Sequence, residues 1–248
     1  CDVEKVEYIQ SDVAHITKEH IHMELDQVVF LVSPDRRDES AYHHVYQEGL
    51  ANLIQVLQET SPNLRSFILA SSTGIYDQKD ASWVDETTPL LLTSYRSQML
   101  AHAETLVANS GFPYSIIRFS GIYGPKRHHL LDSVRGGDIH FGNSSIYTNR
   151  IHRDDCAAVI DHIAHLENPD PLYVATDCEP VPMNVVISWL VTTLGKTIAS
   201  MPKESLAEGD TFYFKSNKRC SNAHLLSTGY VFQYPGFQEG FESIIHER

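Results

Sequence analysis

The stretch Ser66-Phe67-Ile68-Leu69-Ala70-Ser71-Ser72-Thr73-Gly74-Ile75-Tyr76 passes from an apolar run into a cluster of hydroxyls. Its first five residues predict a short strand, and the Ser-Ser-Thr-Gly that follows predicts the turn at its C-terminal end. A serine displayed there suits nucleophilic chemistry in one arrangement. Ala70-Ser71-Ser72-Thr73-Gly74 approaches the G-x-S-x-G elbow of serine hydrolases, with alanine for the first glycine. The elbow depends on a helix starting at once, and Ile75-Tyr76-Asp77 does not start one, so a hydrolase is the weaker reading.

Working outward, similar runs predict strands over 6–9, 27–32, 114–119 and 172–175. Helical periodicity lies between them. Over 42–58 it sets Val45, Leu50, Leu53, Ile54 and Leu57 on one face, and over 98–109 it does the same for Leu100, Ala103, Leu106 and Val107. Two further helices are predicted over 153–166 and 183–194, the first opening on Asp154-Asp155, where negative charge suits a helix start better than a catalytic carboxylate pair. Strands alternating with helices predict an α/β fold with a parallel sheet and crossover helices. Beyond Gly121 the turn-rich pieces Gly136-Gly137, 142–145 and 180–182 predict a second, smaller lobe, and 196–210 reads as an ordinary loop.

The 248 residues are 42% apolar, with 32 acidic against 19 basic side chains and a formal charge of −13. That charge repels a phosphate backbone and argues against nucleic acid. No run approaches 18 apolar residues and the N-terminus has no apolar signal core, so a cytoplasmic protein without membrane partners is expected. The four cysteines form no C-x-x-C pair, which fits reduced thiols. No G-x-G occurs, and Gly195-Lys196-Thr197 fails as a phosphate loop because Leu190 stands where its first glycine belongs. The pairs His43-His44, His128-His129 and His162/His165 come without third and fourth ligands, so no metal is expected.

Four motifs in order carry a family resemblance: Ser71-Ser72-Thr73-Gly74-Ile75-Tyr76, Trp83-Val84-Asp85-Glu86, Arg118-Phe119-Ser120-Gly121-Ile122-Tyr123-Gly124-Pro125 and Asn149-Arg150-Ile151-His152-Arg153-Asp154-Asp155. Together with 221–229 and 234–240 they resemble the extended short-chain dehydrogenases/reductases, the NAD-dependent epimerase/dehydratase proteins. The resemblance implies a Rossmann-like doubly wound parallel sheet with a small C-terminal substrate lobe. The dinucleotide-binding domain would span 1–125, and 126–248 would be mostly substrate lobe, with 150–176 returning to the sheet. It also implies that residues 8–13 are the third strand of that sheet, so a βαβ unit of roughly 30 residues carrying the glycine loop is expected ahead of Cys1.

The implied cofactor is NAD or NADP. Asp12 and Val13 would face its adenine, Leu31, Val32 and Ser33 would pack near the nicotinamide half, and Ser71, Phe119 and Ser120 would complete the pocket. Ser72 matches the family serine that orients the substrate oxygen, and Tyr95 the tyrosine that exchanges its proton. The family lysine, four residues after the tyrosine, is here Met99. Nucleotide-sugar enzymes of the family often carry an arginine at the place of Thr148, and Arg127 and Arg150 are the nearby cations that would rebuild a substrate site. The implied function is an NAD(P)-dependent oxidoreductase or epimerase/dehydratase-like enzyme acting on a carbonyl or nucleotide-sugar substrate, and a homodimer is compatible with it. Met99 keeps an alternative open: a non-catalytic NAD(P)-binding sensor or assembly partner.

Overall fold

The computed structural model describes residues 6–137, 146–196 and 216–246. Strands β1 (Gln27–Phe30), β2 (Ser66–Ser72), β3 (Ser82–Val84), β4 (Tyr114–Phe119), β5 (Gly121–Tyr123), β6 (Tyr147–Thr148), β7 (Arg150–His152), β8 (Leu172–Ala175), β9 (Val181–Pro182) and β10 (Lys218–Cys220) are joined by helices α1 (Glu39–His43), α2 (Leu50–Thr60), α3 (Tyr95–Ala108), α4 (His129–Gly136), α5 (Arg153–Ala164), α6 (Met183–Thr193), α7 (Ala223–Ser227) and α8 (Phe237–Ile244). A four-stranded sheet runs in the order β1-β2-β4-β8, each new strand reached through a helical crossover. This is the Rossmann-like α/β architecture expected from the alternation of strands and helices. The chain divides into two compact units, Cys1–Ser71 with Leu92–Ile116, and Ser72–Leu91 with Ile117–Arg248.

In the first unit β1 lies parallel to β2, from Gln27 opposite Ser66 to Phe30 opposite Leu69. The crossover between them is one continuous helical rod whose middle turn, His44–Gly49, is π-helical between α1 and α2. Asp38 starts it by accepting from the Ala41 N–H at 2.9 Å. Leu50, Leu53, Ile54 and Leu57 of α2 repeat every three or four residues, and all four are buried. Ser94 caps α3, its side chain and that of Ser97 each accepting from the other's backbone N–H.

Two expectations need correction. Residues 6–9 form no strand: they pair with no ladder among the described residues, and Tyr8 is 86% exposed, so their β-rich composition alone does not make a strand. The strand expected over 27–32 ends at Phe30, past which Leu31 and Val32 are exposed. The pieces predicted at 142–145 and, beyond Lys196, through 210 lie outside the described residues.

The second unit carries small paired strands, β5 with β7 and β3 with β10 in parallel, and β6 with β9 antiparallel. Its core gathers Leu131 and Val134 of α4, Val186, Ile187, Leu190 and Val191 of α6, and Phe237, Phe241 and Ile244 of α8 around Tyr123. Helix α4 stops at Gly137, whose φ of +78° is the left-handed cap that glycine adopts without strain. Asp155, at the start of α5, is fully buried and accepts from the Tyr230 hydroxyl at 2.8 Å and the N–H groups of Gln233 and Tyr234 at 2.9 and 3.0 Å. The carboxylate pair Asp154-Asp155 is thus one structural anchor and one partner of Arg153 at 3.2 Å.

Candidate functional site

Just past β1 the first unit opens a pocket of about 540 Å³, within the size range of small-ligand sites. Four residues expected to hold the cofactor line it together: Asp12, Val13, Val32 and Ser33. Asp12 closes the short turn Val13–His15 by accepting from the Ala14 N–H at 2.9 Å. Both its oxygens also face Nε2 of His44, at 2.9 and 3.0 Å. The other ring nitrogen of His44, Nδ1, faces Glu48 at 3.1 Å, and the second oxygen of Glu48 faces Nδ1 of His43 at 3.2 Å.

These bonds set the charges of the wall. The His44 hydrogen bond, and then the Ala14 N–H, hold the Asp12 carboxyl below its ordinary range, while the Asp12 and Glu48 bonds raise the His44 imidazole. Apolar Val13 beside the Asp12 carboxylate suits a purine: a ring face against methyl groups, an exocyclic amine toward oxygen.

Leu31 and Ser71 do not line this pocket. Leu31 is exposed, and the buried Ser71 donates its hydroxyl to Glu104 at 2.6 Å. Tyr95 donates its hydroxyl to the Arg37 carbonyl at 2.5 Å and meets Tyr42 edge-on, with Met99 one turn further along α3.

In the second unit Ser72 is half-buried, and its Oγ accepts from the Gly74 N–H at 3.0 Å, so its own O–H is left to donate elsewhere. Phe119 and Ser120 are buried, and the Ser120 N–H donates to the Ala175 carbonyl at 3.0 Å. The Ser120 hydroxyl has no partner among the described residues. Arg127 is exposed on the turn after Pro125. Arg150 is buried: Nη2 donates to Thr148 Oγ1 at 2.6 Å, whereas Nη1 has no partner among the described residues. Burial pulls its guanidinium down to about 10, still a cation at neutral pH.

Several groups had no clear signal in the sequence. Asp177, with a carboxyl pushed up to about 7 by burial, stands near Arg150 and Tyr123. Lys218 is buried and donates to the Tyr76 carbonyl at 2.8 Å, while Arg118 donates to the Tyr76 hydroxyl at 2.6 Å. His44 stood in the sequence as one of a histidine pair, and nothing local tied it to Asp12, 32 residues away. Among the described residues no three His, Cys, Asp or Glu side chains are grouped to hold a metal ion, and no helix is long and apolar enough to cross a membrane.

Comparison with known proteins identifies the family and the fold. The model of a family described as NAD(P)H-binding matches residues 2–167. A structure from Methylobacillus flagellatus described as an NAD-dependent epimerase/dehydratase is 30% identical, covers 97% of this chain and 84% of its own, and superposes with a TM-score of 0.78. A conserved protein of unknown function from Silicibacter pomeroyi is 27% identical over 89% of this chain and 77% of its own, with a TM-score of 0.75. A UDP-glucuronic acid 4-epimerase from Bacillus cereus, solved with NAD, shares the fold at 17% identity and a TM-score of 0.74, covering 95% of this chain and 78% of its own. No curated protein matches the chain. A family model covering most of the chain and a relative of like length agree: the chain belongs to the NAD(P)H-binding family and has the Rossmann-like fold of the NAD-dependent epimerase/dehydratases.

Proposed function

We propose that the protein is an NAD(P)-dependent oxidoreductase or epimerase/dehydratase-like enzyme acting on a carbonyl or nucleotide-sugar substrate. The observation that supports this reading is the first-unit pocket, lined by Asp12 and Val13, assigned to the adenine of a dinucleotide, and by Val32 and Ser33, assigned to its nicotinamide half. Residues 1–125 are assigned to cofactor binding and 126–248 mostly to the substrate, with 150–176 returning to the sheet. The sugar class is suggested by the Bacillus cereus epimerase that shares the fold.

When bound, NAD(P) supplies hydride exchange with the substrate carbon. The chain's own residues bind and orient. Asp12 accepts from the adenine amine, the Ser72 O–H donates to a substrate oxygen, and Arg127 and Arg150 supply positive charge for an anionic substrate group. Tyr95 is the proton-exchanging group, and to act it must release the Arg37 carbonyl.

Two measurements test the reading. Titration with NADH and NADPH should quench or shift nicotinamide fluorescence, and a panel of nucleotide sugars and ketones should change nicotinamide absorbance. Failure of both dinucleotides to bind overturns the reading. In the active protein Ser72→Ala should lower kcat about a hundredfold. Met99→Lys should raise kcat at neutral pH, because a cation beside a phenol lowers its pKa by about 1 to 3 units. Binding without turnover, in wild type and in Met99→Lys alike, would leave a dinucleotide-binding protein that is not an enzyme.

A further inference from the structure

Rods that change from α to π for a single turn mark sites where a helix gives up regular bonding to place side chains. Here the turn His44–Gly49 brings His43 and His44 onto one carboxylate, His43 to one oxygen of Glu48 and His44 to the other. His43 reaches across five residues and His44 across four, a pairing that a π turn favours. The same turn abuts the turn that begins at Asp12: a Cβ on Gly49 would collide with the side chain of Val13. Only glycine at position 49 lets the two turns form one wall of the pocket.

Both ring nitrogens of His44 face carboxylate oxygens, Nε2 toward Asp12 and Nδ1 toward Glu48. A neutral imidazole has one N–H and would turn a lone pair against one of the two acids, whereas an imidazolium donates to both. We propose that His44 is a positioning residue for the dinucleotide: as an imidazolium held between Asp12 and Glu48, it fixes the Asp12 carboxylate in the attitude that accepts the adenine amine. Cofactor affinity is thereby tied to the protonation of His44. This inference rests on reading the pocket as the dinucleotide site. The direction in which the two bonds move the His44 imidazole, upward, agrees with it.

The charged neighbours are few. Asp12 faces His44 from the turn before it, with His15 acting on Asp12; Glu48 faces it from its own turn and is shared with His43 of α1; Asp35 and Arg36 line the same pocket. Helix α3 packs against this turn, and its Arg96 lies over Tyr42 and acts on Tyr46. Below the raised pKa of His44 the imidazolium holds Asp12. As pH rises through it, one of the two bonds loses its proton and the carboxylate loses its fixed orientation, so affinity for the adenine end falls.

The test measures the dissociation constants of ADP-ribose, of whichever of NADH and NADPH binds tighter, and of reduced nicotinamide mononucleotide, between about pH 6 and about pH 9. For wild type the two adenine-bearing ligands should weaken by about tenfold toward high pH, the scale of one charge-assisted hydrogen bond. The mononucleotide should show no such trend. His44→Lys, a permanent cation over this range, should stay tight throughout, and His44→Gln should be uniformly weak and flat. Ring nitrogen NMR of wild type near pH 6 should find both His44 nitrogens protonated. A flat wild-type profile, or a His44→Gln profile that follows wild type, overturns the proposal and leaves the pocket assignment standing. Failure of every adenine-bearing ligand to bind overturns both.

Discussion

Asp177 is 1% exposed, and its Oδ2, like Nη1 of Arg150 and the hydroxyl of Tyr123, has no hydrogen-bond partner among the described residues. One oxygen is satisfied by the Glu179 N–H at 3.3 Å, while burial raises the carboxyl to about 7 against the partial opposition of Arg150. A raised folded-state pKa means the native protein holds this proton more tightly than the unfolded chain. Its contribution is therefore complete below the ordinary value of 3.8 and is lost as pH rises to about 7. At about 1.4 kcal/mol per unit the loss is about 4 kcal/mol at most. Asp177→Asn should flatten that part of the curve, so urea midpoints measured from pH 4.5 to pH 7.5 (about the window above) should fall less in the variant than in wild type. Parallel curves would remove Asp177 as the source. None of this was legible in the sequence, since Thr176-Asp177-Cys178 has no pattern that distinguishes a buried acid from a loop acid.

Helix α8 depends on one missing methyl group. A Cβ on Gly240 would run into the hydroxyl and the ring of Tyr123, itself 6% exposed and packed on Phe241 at a centroid distance of 4.6 Å. Gly240→Ala should therefore destabilise by roughly 1–3 kcal/mol, the usual scale of overpacking. Tyr123→Phe in the same chain should recover part of that loss, because the hydroxyl is the nearest clash; thermal melts of the two variants decide it. Elements of this length divide by how much periodicity they carry. Strands β4 and β8 coincide with the predicted 114–119 and 172–175, because runs such as Ser115-Ile116-Ile117 are buried on both faces. Helices α5 and α6 begin at the predicted residues and end within two of the predicted boundary. The π turn was not foreseen, although the apolar face steps by five residues from Val45 to Leu50 across it, one more than an α-helical repeat. The pairs β3 with β10 and β6 with β9 are two or three residues long, too short for alternation to register. The candidate site followed the same division. Val32 and Ser33, expected at a strand end from the family resemblance, do line the pocket, whereas its His44 and Glu48 side depends on tertiary approach.

With a formal charge of −13 the molecule as a whole repels the anionic dinucleotide it is proposed to bind. Added salt screens that repulsion over about 10 Å at 0.1 M. Association rates for NADH or NADPH should therefore rise with ionic strength, opposite to a nucleic-acid-binding protein, and stopped-flow fluorescence at rising salt checks the sign. The anchor at Asp155 has a further consequence at this scale, in time rather than in energy. Its three donors, Tyr230, Gln233 and Tyr234, are made 75 to 79 residues after it, and Phe237, Phe241 and Ile244 of the second-unit core come later still. During synthesis Ile116, the last of the first unit's positions, is added well before Tyr230. The second unit lacks both the partners of its buried acid and one of its three core helices until residues 230–244 are made. Emergence of Tyr230, Gln233 and Tyr234 from the ribosome is thus the event that lets Asp155 leave water, and a nascent chain stalled before Tyr230 would keep the α5 end of that unit open to chaperones and proteases.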